Sequence, residues 1–151
     1  MKPRYALGCA AVLIGSSLNY FGDRLLGVRL EYFYGLMTTF GLASLADIFI
    51  VPFVAGLGVA WVFGRGAKWL GYFPPLVVRT VAYAHVQFEA LPPGAHNLPF
   101  GWWGFFVILA MESAGIGGVL GEVFIKKIYT RTAAQKLADR LVDAGGADRE
   151  S

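Results

Sequence analysis

The sequence predicts an all-α, polytopic integral membrane protein: a four-helix transmembrane bundle with a short cytoplasmic amphipathic C-terminal helix. Hydrophobic residues make up 56% of the chain and charged residues 15%, whereas soluble domains carry about 25% charged residues. Long apolar stretches alternate with short polar segments, and basic residues cluster at their ends. The net charge of +3 is small and scattered, so we expect lipid as the solvent and no nucleic-acid partner.

The first two spans are predicted at residues 5–21 and 43–63. The first carries Asn19 as its only strongly polar side chain, and its length is near the lower limit of about 17 residues for a spanning helix. The apolar stretch that contains the second span starts at residue 32, which is too long for one helix and short for two. Residues 32–42 are therefore predicted to form an interfacial or re-entrant approach, and the sequence leaves both forms open.

The distribution of basic residues supports a single crossing between residues 32 and 64. With one crossing, the basic residues near positions 2–4, 65–68 and 126–127 all lie on the same side of the membrane. The positive-inside rule places that side in the cytoplasm. We expect a multi-pass protein of the cell membrane, by its compact form a bacterial inner membrane, with both termini cytoplasmic.

Spans three and four are predicted at residues 71–88 and 100–125. The third begins with Pro74 and Pro75, which are tolerated in the first turn of a helix because the missing N–H groups have no helical partner there. A proline-rich loop at residues 89–99 follows on the outer side. The fourth span starts with a belt of Trp and Phe residues and ends before Lys126.

Residues 1–128 are thus predicted as the transmembrane domain and residues 129–151 as a cytoplasmic tail. The tail has the pattern of a separate amphipathic helix, because Thr132 and Gln135 have the spacing of a capping box and Gly145–Gly146 would end the helix. Its narrow apolar stripe could contact a partner protein.

Four titratable residues fall at membrane depth and are the candidate site residues. Counting about 1.5 Å per residue along each helix places Asp47, His85 and Glu112 in the outer part of the membrane. Because charged groups that face lipid are costly, the three could form a proton or cation path. The alternative is structural, with Arg79 and Glu112 as an intramembrane ion pair. The sequence favours the structural alternative, because ion pairs are common reasons for charges at such positions.

A single histidine in a helix could ligate haem or a pigment, but a local hydrogen bond at His85 is the commoner arrangement. We therefore expect no cofactor beyond lipid. Two histidines and one cysteine offer few ligands for a metal site, which needs three or four. No hydrolase or phosphate-binding signature is present. We predict neither a metal site nor a catalytic residue.

Small residues recur at intervals of four in two of the predicted spans. This spacing lets membrane helices approach closely. The residues are Gly56, Ala60 and Gly64 in the second span and Ser113, Gly117 and Gly121 in the fourth. They predict helix-packing faces.

These features favour an accessory or scaffolding subunit of a larger membrane complex, which packs through its Gly/Ala-rich faces against other subunits or copies of itself. One alternative is an oligomeric small transporter or channel that uses Asp47, His85 and Glu112. A second alternative is a membrane enzyme or a pigment- or haem-binding protein that uses His85.

Overall fold

The computed structural model describes the backbone of residues 4–147 and the side chains of residues 4–36 and 39–128. The helices are α1 (Arg4–Leu26), α2 (Leu36–Thr39), α3 (Leu42–Phe63), α4 (Ala67–Leu70), α5 (Phe73–Val86) and α6 (Phe100–Ala147). Two short strands, β1 (Tyr32–Phe33) and β2 (His96–Asn97), pair antiparallel. The prediction of a mainly helical chain is confirmed.

Three helical segments in the described part of the chain are long and apolar enough to cross a membrane: Arg4–Leu26, Leu42–Phe63 and Phe100–Ile128. They contain the whole of the first, second and fourth predicted spans. The first helix continues five residues beyond its predicted end, because Gly22, Asp23 and Arg24 extend it past the apolar stretch. Its last turns therefore carry polar side chains into the bundle.

The third predicted span, residues 71–88, is not among these segments, because its only helix, α5, is shorter than predicted. The structure has a short helix α4, two residues that belong to no helix, and then α5, which has 14 residues. At about 1.5 Å per residue α5 is roughly 21 Å long, less than the hydrocarbon thickness of about 30 Å. Gly66 has a positive φ of 92° before α4, and Pro74 and Pro75 lie in the first turn of α5. These residues explain why no continuous helix forms.

The long helices alternate in direction. Gly15 of α1 packs beside Val59 of α3, and Gly22 packs beside Val51, so these two helices are antiparallel. Helix α3 runs parallel to α6, and α5 runs back beside α1. The ends of α1 and α5 and the starts of α3 and α6 consequently meet at one end of the bundle. We call this end the capped end and the opposite one the open end.

The small residues predicted for packing lie mostly between α3 and α6. A Cβ atom on Gly56 would overlap the carbonyl of Ala114, and one on Gly117 would overlap the carbonyl of Phe53. Gly121 meets the methyl group of Ala60, and the Ser113 hydroxyl donates a hydrogen bond of 2.5 Å to the carbonyl of Phe49. The backbones approach closely there, as small-residue spacing allows.

Gly64 has a different place. It follows the last residue of α3 with a φ of 75°, and a Cβ atom there would meet nothing within 4 Å. Because the positive φ suits glycine, this residue ends the helix and contributes no close contact with a neighbouring helix.

The strands close the capped end. The backbone N–H of Leu98 donates to the carbonyl of Glu31 at 3.0 Å, beside the β1–β2 pair. Leu30 and Leu98 pack with Ile48 of α3 and Phe106 of α6. Of residues 32–42, predicted as interfacial or re-entrant, the first ten form β1, α2 and their connections, and Leu42 begins α3.

The tail does not begin as a separate helix. Helix α6 continues without interruption from Phe100 to Ala147 and contains 48 residues. The capping-box residues Thr132 and Gln135 therefore lie inside a helix that has already begun, and Gly145 and Gly146 do not end it.

Candidate functional site

Arg79 of α5 is the centre of a buried group of charged side chains at the capped end. The residue is 2% exposed and Asp47 of α3 is fully buried. The Nη2 atom of Arg79 donates to Asp47 Oδ2 at 2.7 Å, to Asp23 Oδ1 of α1 at 3.0 Å and to the backbone carbonyl of Asp47 at 3.4 Å. One guanidinium nitrogen therefore joins three helices.

A third carboxylate approaches from outside the helices. Glu31 precedes β1 and is 3% exposed, and its Oε1 lies 3.7 Å from Nη1 of Arg79. Burial raises the pKa of Glu31 above the ordinary value of a glutamate, although the charge of Arg79 acts in the opposite direction. We refer to Asp23, Glu31, Asp47 and Arg79 as the Arg79 cluster.

The charges of the Arg79 cluster do not balance. With every group ionised, three carboxylates face one guanidinium, and the formal charge is −2. Burial of uncompensated charge is costly, and buried groups commonly become neutral by binding protons. The Arg79 cluster therefore contains more acidic groups than one guanidinium can neutralise.

Several oxygen atoms of this region also have no hydrogen-bond partner among the described residues. They are buried and comprise Asp47 Oδ1, Glu31 Oε1 and Asn19 Oδ1. Buried polar atoms are normally hydrogen-bonded, and a carboxyl oxygen that gains a proton also becomes a donor. The Nε–H donor of Arg79 is likewise buried and has no described partner, so both donors and acceptors of the Arg79 cluster are incompletely paired.

Asn19 extends the polar region along α1. It is fully buried, and its Nδ2 lies 3.4 Å from Asp23 Oδ1. The two residues are four apart, so they share one face of the helix. This face points at α3 and α5, and the exposed face of α1 carries apolar residues such as Leu13 and Leu25.

A second charged group lies at the surface of the capped end. Glu89 Oε2 accepts hydrogen bonds from Arg29 at 2.8 Å and from the Tyr32 hydroxyl at 3.0 Å. Its Oε1 is 3.0 Å from Nδ1 of His85. These bonds, that from Tyr32 foremost, hold the pKa of Glu89 below the ordinary value of a glutamate. We call Arg29, Tyr32, His85 and Glu89 the rim cluster.

The structure separates the three residues of the predicted proton or cation path. Asp47 is in the Arg79 cluster, whereas the His85 side chain is 71% exposed in the rim cluster. Glu112 is exposed on α6. No direct path through these three side chains exists in the part of the chain whose side chains are described.

The predicted ion pair between Arg79 and Glu112 is replaced by other partners. All three described ion pairs of Arg79 are with Asp47, Asp23 and Glu31. Glu112 lies instead in a surface groove that Lys68, Trp69 and Tyr72 also line. The reason is the rotation of each helix about its own axis. Arg79 points into the interface of α5 with α1 and α3, whereas Glu112 is on the exposed face of α6.

Sequence reasoning missed Asp23 and Glu31, because both follow the predicted end of the first span at residue 21. A signal for Asp23 was available. Asn19 is the one strongly polar residue of the first apolar stretch, and Asp23 follows it after one helical turn. For Glu31, whose position depends on the strand pair, the sequence offers no comparable signal.

The described residues contain no group of three or more His, Cys, Asp or Glu side chains with an arrangement that could hold a metal ion. Comparison of the chain with protein-family models, with curated proteins and with solved structures finds no match.

Proposed function

We propose that this chain is a multi-pass membrane protein that binds and releases protons at the Arg79 cluster, as a subunit of an oligomeric proton-dependent transporter. The observation that carries the proposal is the convergence of three carboxylates on one buried guanidinium. One carboxylate is enough to neutralise the charge of one guanidinium. The two additional carboxylates make the net charge of the site depend on bound protons.

The membrane setting is supported by the three long apolar helices and by the outward position of large apolar side chains, including Leu25, Trp61 and Phe124. Arg4, Arg65, Lys68 and Lys126 all belong to the open end. By the positive-inside rule this end is cytoplasmic. The Arg79 cluster then lies toward the outer face, where ionisable groups within a membrane commonly mark proton and ion pathways.

Oligomerisation is part of the proposal because one chain encloses little space. The close contacts between α3 and α6 leave no channel there. A path for protons or a substrate would form between copies or at the lipid-facing grooves. Helices α1 and α5 present mostly apolar faces that could contact such copies.

The accessory-subunit hypothesis receives less support from this arrangement. That hypothesis depends on faces of small residues that are available to other subunits. In the structure these faces lie between α3 and α6 of the same chain, at Gly56, Ala60, Gly117 and Gly121. They are therefore not free to contact another subunit. The transporter hypothesis keeps Asp47 as a proton-binding residue but replaces His85 and Glu112 with Asp23 and Glu31.

The test is proton flux in liposomes that contain the purified protein and an internal pH-sensitive dye. We expect wild-type protein to acidify the lumen under an inward proton gradient, and Asp47→Asn to reduce the initial rate at least tenfold. Glu89→Gln, which removes a carboxylate of the rim cluster, is the matched control and should retain most of the rate. Equal rates in Asp47→Asn and wild type would overturn the transport proposal.

Proton binding can be measured independently of flux. Infrared spectra recorded during a pH titration should contain a protonated-carboxyl band that changes in Asp23→Asn and Asp47→Asn but not in Glu89→Gln. A wild-type spectrum with no such buried carboxyl band would exclude the Arg79 cluster as a proton-binding site.

A further inference from the structure

A groove on the lateral surface of the bundle, between the α4 segment and α6, lies away from the Arg79 cluster. Its volume is about 400 Å³, within the range of about 300–1,000 Å³ for small-molecule sites. One wall is the segment that contains α4, and the other is α6. The lining residues are Lys68, Trp69, Tyr72, Glu112, Gly115, Ile116, Val119 and Leu120.

Glu112 is the unusual residue of this groove. It lies two residues from the centre of the apolar segment Phe100–Ile128, or about 3 Å along the helix axis. It is exposed, and no hydrogen bond or ion pair involves it among the residues whose side chains are described. A carboxylate at this depth costs several kcal/mol when nothing neutralises it, so the position calls for a cationic partner.

The aromatic residues beside Glu112 suit the same kind of partner. The rings of Trp69 and Tyr72 have centroids 6.4 Å apart, and the ring face of Trp69 already attracts a cation, since Lys68 Nζ lies 5.3 Å from its centroid. Aromatic faces bind ammonium-type ligands through cation–π attraction. A Cβ atom at position 115 would come within 2.9 Å of the Tyr72 ring, so Gly115 lets that ring pack against α6.

The remaining wall is apolar. Ile116, Val119 and Leu120 continue along α6 toward the open end, and Ile116 and Val119 are well exposed. A ligand that fits must combine a positive charge with an apolar body. A small hydrated cation would leave this apolar surface uncovered.

We infer that the groove binds a lipophilic organic cation, with Glu112 as the counter-ion and Trp69 and Tyr72 as aromatic contacts. The inference rests on the proposed function in one respect: such a cation would be the transported substrate, while protons bind at the Arg79 cluster. Lys68 opposes binding of this ligand, because its ammonium occupies the Trp69 face. Its flexible side chain can extend to the lipid headgroups when the ligand arrives.

The experiment is equilibrium binding of tetraphenylphosphonium to the detergent-purified protein. We expect saturable binding by wild type, at least tenfold weaker binding by Glu112→Gln, and retained binding by Glu112→Asp, which keeps the charge. Lys68→Gln should bind several-fold more tightly, because it removes a competing cation. A structural role of Lys68 alone would not produce this gain.

The anion tetraphenylborate, which has a similar shape, is the control for partition into apolar surface and should not compete at the site. Equal affinity of wild type and Glu112→Gln, no saturable wild-type binding, weaker binding by Lys68→Gln or equal binding of the anion would each overturn the inference. Size-exclusion profiles establish that each variant is folded.

Asp47→Asn separates this inference from the proposed function. In detergent it should bind tetraphenylphosphonium as wild type does, even though its proton flux is reduced. If wild type binds tetraphenylphosphonium but transports no protons, the groove is a cation site and the transporter proposal is refuted. If wild type transports protons but does not bind tetraphenylphosphonium, the transporter proposal stands and the cation site is refuted.

Discussion

The Arg79 cluster and the rim cluster contain the same kinds of groups and lie at the same end of the molecule, but burial gives them different properties. In both, an arginine contacts a glutamate or aspartate at 2.7–2.8 Å. The Arg29 and Glu89 side chains are 49% and 34% exposed, whereas those of Arg79 and Asp47 are 3% and 0% exposed. Hydrogen bonds lower the pKa of Glu89, while burial raises that of Glu31. A close ion pair alone therefore does not indicate how a carboxylate titrates.

The largest expected effect comes from removal of the buried cation. Arg79→Gln would leave three carboxylates without a guanidinium, and loss of one partner from a buried pair typically costs about 3–5 kcal/mol. We expect a large fall in the thermal midpoint in detergent, with partial recovery at acidic pH as the carboxyl groups bind protons. Arg29→Gln is the matched change in the rim cluster and should shift the midpoint little. Similar shifts in both variants would remove the distinction between the clusters.

Asp23→Asn is expected to change the stability of the protein less than Arg79→Gln, in a direction that depends on pH. This change removes a hydrogen-bond acceptor for Arg79 but also reduces the formal charge of the Arg79 cluster from −2 to −1. The two effects oppose each other, so we expect a change within about 1 kcal/mol at neutral pH and a gain in stability at alkaline pH. Thermal unfolding across pH measures both. A large loss at alkaline pH would mean that all three carboxylates are ionised and needed.

The pH dependence of Glu31 follows from its raised pKa. The folded state binds this proton more tightly than the unfolded state, so the contribution to stability is complete below the ordinary pKa and is lost as pH rises through the raised value. We expect the thermal midpoint of wild type to fall over this range and that of Glu31→Gln to fall less. Parallel curves for the two proteins would contradict the role of Glu31.

The smallest effect is expected in the rim cluster. The lowered pKa of Glu89 means that its contribution is present above the ordinary pKa of glutamate and is lost as pH falls through the lowered value. Acidification should therefore loosen residues 87–99, and Glu89→Gln should do so at neutral pH with little change in the thermal midpoint. Amide hydrogen exchange of this loop is the measurement. Unchanged exchange in Glu89→Gln would show that strand pairing alone holds the loop.

Much of the fold follows from apolar periodicity and length, whereas the partners of the charged residues do not. The second predicted span, residues 43–63, differs from α3 by one residue at its start. The pairing of Arg79 with Asp47 in place of Glu112 depends on how each helix is rotated about its axis. Depth along a helix, which the sequence gives directly, does not determine that rotation.

The misassignment of Asp23 has a similar cause. The end of an apolar stretch was taken as the end of a helix, but α1 continues to Leu26 because a polar face toward α5 can be buried when a partner is present. The third predicted span contains only the shorter helix α5, which begins one residue before Pro74. The prolines indicated where the helix starts, but they did not specify how far it continues.

Because α6 is one uninterrupted helix of 48 residues, its two ends are rigidly connected. The helix begins at the capped end, packs along α3, and continues for 19 residues beyond Ile128, or about 28 Å at 1.5 Å per residue. No hinge residue interrupts its backbone at the point where the apolar segment ends. A tilt of α6 near the capped end would thus displace its far tip as part of the same rigid helix.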